Sequence, residues 1–193
     1  YWQEKFGNNV LPLRVGNDVA TIDDVMGVIE ILSSRREYTK INPFVVLFGK
    51  GEHQITSSWT NPSNDNVRPI TLGFTCSNIT FVGTGIDATT ILGGFGIHDL
   101  ENITFKNMTV TNTSDRGRGI VMSNAKVKLI DVAIKGCEFA ALRIASLTNS
   151  ETTVVATRCE FANCFFGASV AGSLTSAKFN NCVFHDNNNK GLI

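Results

Sequence analysis

Apolar residues in the second half of the chain fall into a repeating frame. Ile103, Phe105, Met108 and Val110 sit at offsets 0, 2, 5 and 7 from residue 103. The frame fits again at Val127, Leu129, Val132 and Ile134, at Val154, Ala156, Cys159 and Phe161, and at Ala177, Phe179, Cys182 and Phe184. A weaker copy carries Ile79, Phe81 and Ile86. The starts at 79, 103, 127, 154 and 177 are 24, 24, 27 and 23 residues apart. Offsets 0 and 2 alternate as on a strand with one buried face; the one-residue slip before offsets 5 and 7 marks a tight corner into a second strand. The corner pairs are Lys106 with Asn107, Ile130 with Asp131, Thr157 with Arg158 and Asn180 with Asn181. Asn and Asp tolerate the left-handed backbone of a sharp corner, a role for which Arg158 is poorly suited. A third strand is predicted over 119–122, 141–144, 167–170 and, cut short, 191–193. Three short strands per repeat predict an all-β solenoid, a parallel β-helix whose coils bury their inner faces on one another. The rival leucine-rich repeat needs an L-x-x-L-x-L-x-x-N frame, which the chain lacks.

The N-terminal third follows a different period. Ile22, Val25, Met26, Ile29 and Leu32 have the spacing of an amphipathic helix over 21–33, with Thr21 as its cap and Asp24 three residues on. A solenoid needs a plug over its end strands, and this helix is the predicted plug. Residues 44–48 form an unbroken apolar run and read as a buried strand, followed by a turn at Gly49 and Gly51; residues 57–68 read as a polar loop. The organisation expected is an N-terminal extension over 1–13 and one β-helix domain over 14–193, with regular coils over 69–193. The third strand beginning at Lys190 is cut off, so the chain is expected to be a fragment truncated at its C-terminus. Otherwise a continuation of the chain or a partner subunit covers the last coil.

Composition narrows the function. The 193 residues hold 17 Lys+Arg against 17 Asp+Glu, and zero net charge argues against nucleic acid as a partner. No apolar run reaches the ~20 residues that span a bilayer, so no membrane insertion is expected. Charged residues make up only 18%, beside 17 Gly and 13 Phe, which suits β-coils with many turns rather than a helical bundle.

The helix at Thr21 to Met26, the segment from Val45 to Ile55, and Asn78 to Gly85 with Thr90 and Ile91 together resemble the pectin-lyase-like superfamily, in an order similar to the opening of pectinesterases. A looser resemblance, through Phe184 to Asn187 and Gly191 to Ile193, is to polymorphic repeat proteins of bacterial surfaces. The first resemblance implies a right-handed β-helix over roughly 14–193, and activity on acidic polysaccharide wherever the family's carboxylates are present. They are not matched. The family's Gly-Tyr-Gln-Asp-Thr segment falls on Gly136 to Ala140 and puts Phe139 where an acid/base Asp belongs; Asn163 to Gly167 likewise contains no Asp. An ester-cleaving site needs one carboxylate to attack and another to shuttle the proton, and Phe does neither. Asp99, Asp115, Asp131 and Asp186 sit at different offsets and are not expected to converge for hydrolysis.

No catalytic residue is therefore assigned. The expected function is a structural or binding module of a larger cell-surface, secreted or virion protein, contacting polysaccharide or glycan. The alternative is a lyase, hydrolase or pectinesterase-like enzyme whose site is incomplete in this chain. Val121, Arg143 and Ser169 are the expected outward positions of the third strand. Arg116 and Arg118, on the polar connection 111–118, and Arg143 are candidates for holding a sugar carboxylate or sulfate, with Asp115 beside them. The plainer alternative is a solvated turn with ion pairs to Asp115. No metal and no cofactor are expected, because His53, His98 and His185 are scattered. Cys159 and Cys182 share one offset, and Cys137 and Cys164 another. They read as stacked free thiols, with a disulfide between Cys137 and Cys164 as the alternative. The sequons at Asn78, Asn102, Asn107 and Asn112 are glycosylation candidates; Asn and Thr are also ordinary residues of β-helix turns.

Overall fold

A computed structural model describes residues 12–34, 36–146 and 150–193. Most of the expected extension over 1–13 lies outside the described residues. The chain winds as a parallel β-helix with three strand columns. The first and second columns join into one eleven-stranded sheet, and the third is a separate six-stranded sheet. The joining occurs because Ile103–Thr111 and Lys126–Lys135 run through the corner without a break.

The registers reproduce the predicted frame. Ile79, Ile103, Val127, Val154 and Ala177 lie in one column. Met108 pairs with Val132, and the pairing of Ala133 with Glu160 and of Glu160 with Val183 carries that column on through Cys159 and Cys182. The corner residues Asn107, Asp131, Arg158 and Asn181 all take left-handed backbone, with φ of 55°, 53°, 53° and 51°. Arg158 is thus no exception to the frame. Its guanidinium straddles the carboxylate of Asp131 one coil below, Nε to Oδ1 and Nη2 to Oδ2 both at 2.6 Å. A bidentate pair supplies what the side chain loses by local backbone strain.

The repeat also begins one coil earlier than the apolar frame shows. Phe44 pairs with Ile79 and Val46 with Phe81, so Phe44–Phe48 is the first strand of the first coil. It alternates buried and half-buried side chains, rather than being buried on both faces as its unbroken apolar run suggested. Leu13–Val15 adds a further parallel strand on its open edge. Residues 57–68 are not a plain loop. Trp59–Thr60 and Val67–Arg68 pair antiparallel as a small hairpin.

The helix spans Asp24–Ser33 and buries Val25, Met26, Val28, Ile29 and Leu32. It starts later than predicted, with Asp23 rather than Thr21 at the N-cap position and no side-chain cap bond from it. The amide and hydroxyl of Thr21 donate to Asp24 Oδ2 at 3.0 and 2.8 Å. Asp23 accepts from Thr56 N, Thr56 Oγ1 and Ser57 N at 2.8, 2.8 and 3.2 Å, which ties the helix to the chain just past the second strand of the first coil. These bonds hold the Asp23 carboxyl below its ordinary value, against the opposing push of burial. The helix thus covers the first coil. The core beneath it is aromatic in the early coils, where Phe74, Phe81, Phe95 and Phe105 meet with centroids 4.9–5.8 Å apart.

Two side-chain columns bear on the modification candidates. Asn102 Nδ2 donates to Asn78 Oδ1 at 2.9 Å, and Asn78 Nδ2 to Tyr38 O at 2.8 Å, so both amide nitrogens belong to an asparagine ladder. Asn112 is only 2% exposed and its Nδ2 donates to Arg118 O at 3.0 Å; a glycan on that nitrogen does not fit this packing. Among the described residues, only Asn107 of the four sequon asparagines has an amide nitrogen without a protein partner. The cysteine columns form as stacked, but all five thiols are free. Cys137 and Cys164 are not joined in a disulfide. The hydrogen bond between the Cys137 and Cys164 thiols, with burial, pushes Cys137 well above its ordinary range, and the same bond pulls Cys164 down against the opposing push of burial. Burial pushes Cys159 up to about 11, so Cys137 and Cys159 are packing groups rather than thiolates at neutral pH.

Candidate anion-binding face

The third sheet carries the candidate site. Val121, Arg143 and Ser169 stand in one outward column, as their spacing predicted, and the column continues back through Gly96 and Gly73. Those glycines have a reason to be there. A Cβ on Gly73 would lie 2.2 Å from Trp59 Cδ1, and one on Gly96 2.2 Å from Trp59 Cδ2. The indole therefore lies flat on the bare backbone of two coils and presses the 59–68 hairpin onto the sheet. Arg68, directly across the hairpin from Trp59, is thereby placed on the same face.

The connection 112–118 supplies the other wall. Asn112 organises it: its Oδ1 accepts from Ser114 N and Ser114 Oγ at 3.2 and 2.6 Å, and its Nδ2 holds the carbonyl of Arg118. Gly117 fits beneath this turn only because it has no side chain; a Cβ would meet Asn112 O at 2.3 Å. Between hairpin and turn lies a cleft of about 380 Å³, lined by Arg68, Thr71, Ser114, Asp115, Arg116 and Arg118 among others.

Its electrostatics are one-sided. Arg118 is pulled down to about 10, first by burial and then by Arg68, Arg143 and Arg116, with Glu138 opposing. Arg68 is lowered by burial and by Arg143. Both Arg68 Nε and Arg118 Nε are buried without a hydrogen-bond partner. Arg143 Nη1 donates to Ser169 Oγ one coil on. Among the described residues none of these four arginines forms an ion pair, so the turn carries no ion pairs to Asp115, although Asp115 and Arg116 are exposed as a solvated turn would have them. Phe139 stacks under Arg118, whose Cζ lies 4.4 Å from the ring centroid, and Phe165 stacks on Phe139 in the next coil at 5.8 Å. Phe139 thus supports a cation at the position where the resemblance would put an acid.

The structure brings the predicted Asp115, Arg116, Arg118 and Arg143 to one face and adds Arg68, Trp59 and Phe165. The added residues gave little signal. Trp59 and Arg68 sit in a polar stretch outside the repeat, and only glycines at the outward position of two successive coils hint that a flat ring covers them. The other acidic groups are engaged elsewhere. Asp131 holds Arg158, Asp99 lies 3.1 Å from His98, and Asp186 and Glu160 lie at 2.7 and 2.9 Å on either side of His185. No group of three or more His, Cys, Asp or Glu among the described residues is arranged to hold a metal ion. No described helix is long and apolar enough to cross a membrane. In chemical terms, the face offers hydrogen-bond donors, positive charge and aromatic surface.

A family model described as a right-handed β-helix region matches residues 74–193. No curated protein and no solved structure matches the chain. The family match spans well over half of the sequence and covers the stacked coils just described, and the chain belongs to the right-handed β-helix family.

Proposed function

We propose that this β-helix is a non-catalytic binding module of a larger cell-surface, secreted or virion protein, and that its third-sheet face holds an acidic glycan. One observation carries the reading. Two guanidinium groups at the cleft present buried N–H donors that no protein atom accepts. Such a group costs stability unless a ligand or a water satisfies it, and an anionic ligand does so with its charge as well. Arg68, Arg116, Arg118 and Arg143 supply the donors that an acidic ligand would use, and Phe165, 38% exposed, offers a ring face on the same side.

The test is retention on immobilised acidic polysaccharide, pectin and alginate included, with product analysis of the same incubations. Salt-sensitive retention without cleavage products is expected, weakened in the Arg68→Gln, Arg118→Gln double variant. Equal retention of wild type and double variant sinks the reading. Cleavage products that vanish in Arg143→Ala or Asp115→Ala would establish the enzyme alternative instead.

A further inference from the structure

Resting on that reading, we infer that the charged group bound in the cleft is a three-oxygen ester, a sulfate or phosphate on a sugar, rather than a uronate carboxylate. The donors reach the cleft from different elements. Arg68 comes from the hairpin and Arg116 and Arg118 from the 112–118 turn, while Arg143, outside the cleft lining, adds positive charge from the sheet that acts on both Arg68 and Arg118. A planar carboxylate has two oxygens whose acceptor lone pairs all lie in one plane. Donors that approach from outside that plane are left unmet. A tetrahedral ester offers three terminal oxygens pointing in three directions, the number and spread that separately anchored guanidinium groups require. Arg68 and Arg118 line the cleft from its two walls, so engaging both guanidinium groups from one ligand takes oxygens on both sides of it.

Charge agrees with the geometry. Four arginines stand against the acidic neighbours Asp115 and Glu138, and the depression of Arg118 by its cationic neighbours is relieved when an anion enters. Ser114 and Thr71, in the cleft wall, add neutral polar surface for the sugar hydroxyls. Phe139 and Phe165 continue the face away from the cleft, where the next ring of a chain would lie.

The experiment compares ligands of equal length and sugar. Tetragalacturonate and a galactotetraose carrying one sulfate ester per residue have the same charge, so their difference reads oxygen number and shape rather than net attraction. Calorimetry is expected to give binding of the sulfated chain about tenfold or more tighter, with a loss of about tenfold in either Arg68→Gln or Arg118→Gln. The nitrogen and proton resonances of Arg68 Nε and Arg118 Nε are expected to move with the ester ligand. Circular dichroism shows whether each variant is folded, and Arg116→Gln, in an exposed turn, provides a second route should either fail. A parallel pair, galactose 6-sulfate and galactose 6-phosphate, identifies which ester is preferred. Uronate binding as tight as that of the ester overturns this inference and leaves the glycan-binding reading intact. Absence of binding by any of the four ligands overturns both.

Discussion

Arginine occupies two contrasting places on this solenoid. At the corner between the first and second sheets, Arg158 lies over Asp131 with two 2.6 Å hydrogen bonds, its side chain largely in water. On the third-sheet face, Arg68 and Arg118 are more deeply set and carry Nε–H groups with no acceptor. The first cation is a stacking device. Asp131 raises the Arg158 pKa while Arg158 lowers that of Asp131, each chiefly through their hydrogen bond. The second group lowers its own pKa by burial and mutual repulsion. One helical repeat thus builds charges that complete the fold in one place and charges left unmatched in another. The unmatched ones are where the proposed ligand would gain most.

The comparison can be broken hardest by removing the core that both places share. Phe105 is fully buried, and Phe105→Ala is expected to cost about 3–5 kcal/mol in denaturant unfolding, abolishing both arrangements together. A smaller change separates them. Gly96→Val places atoms where the Trp59 indole lies and lifts the hairpin, with a destabilisation of about 1–3 kcal/mol and loss of glycan retention. The ion pair between Asp131 and Arg158 remains, which the salt dependence of the melting temperature reports.

Arg118→Met keeps the apolar contact with Phe139 and deletes the unmatched charge. It is expected to raise stability by about 1 kcal/mol while weakening binding; a loss of stability would mean that Arg118 is a structural cation like Arg158. Asp131→Asn is expected to lower the melting temperature slightly, with a difference that high salt erases and no effect on binding.

The smallest effect is one of pH. His185 lies between Asp186 and Glu160, and those hydrogen bonds raise its pKa above the ordinary 6.5. A raised folded pKa contributes stability that is fully present below the unfolded value and is lost as pH rises through the folded value. Melting curves of wild type and His185→Gln should therefore converge as pH rises above about 6.5, with wild type ahead only on the acid side.

The coils were legible because strand periodicity is local. Alternation over 103–105 and 127–129, with the slip at Asn107 and Asp131, fixes two strands and the corner between them, and repetition fixes the register. The first coil was harder to read. Val45 and Leu47 are apolar although half-buried, so Phe44–Phe48 conceals its alternation. Arg116, Arg118 and Arg143 were legible as candidates from their loop and outward positions. Arg68 was not, since nothing nearby in sequence indicates which coil its hairpin lies on. The sequon at Asn112 misled for a related reason: the same Asn-Thr pattern serves a glycan acceptor and a buried turn-former, and only the neighbours decide between them.

The order of apolar and turn residues by itself determined a stacked β-solenoid, its corner positions and its covering helix, because each coil repeats one short-range pattern. Only the tertiary structure decided which charges are matched. Whether an arginine meets a carboxylate depends on which residue of another coil lies beside it. Here that is Asp131 for Arg158, and for Arg68 and Arg118 it is other arginines.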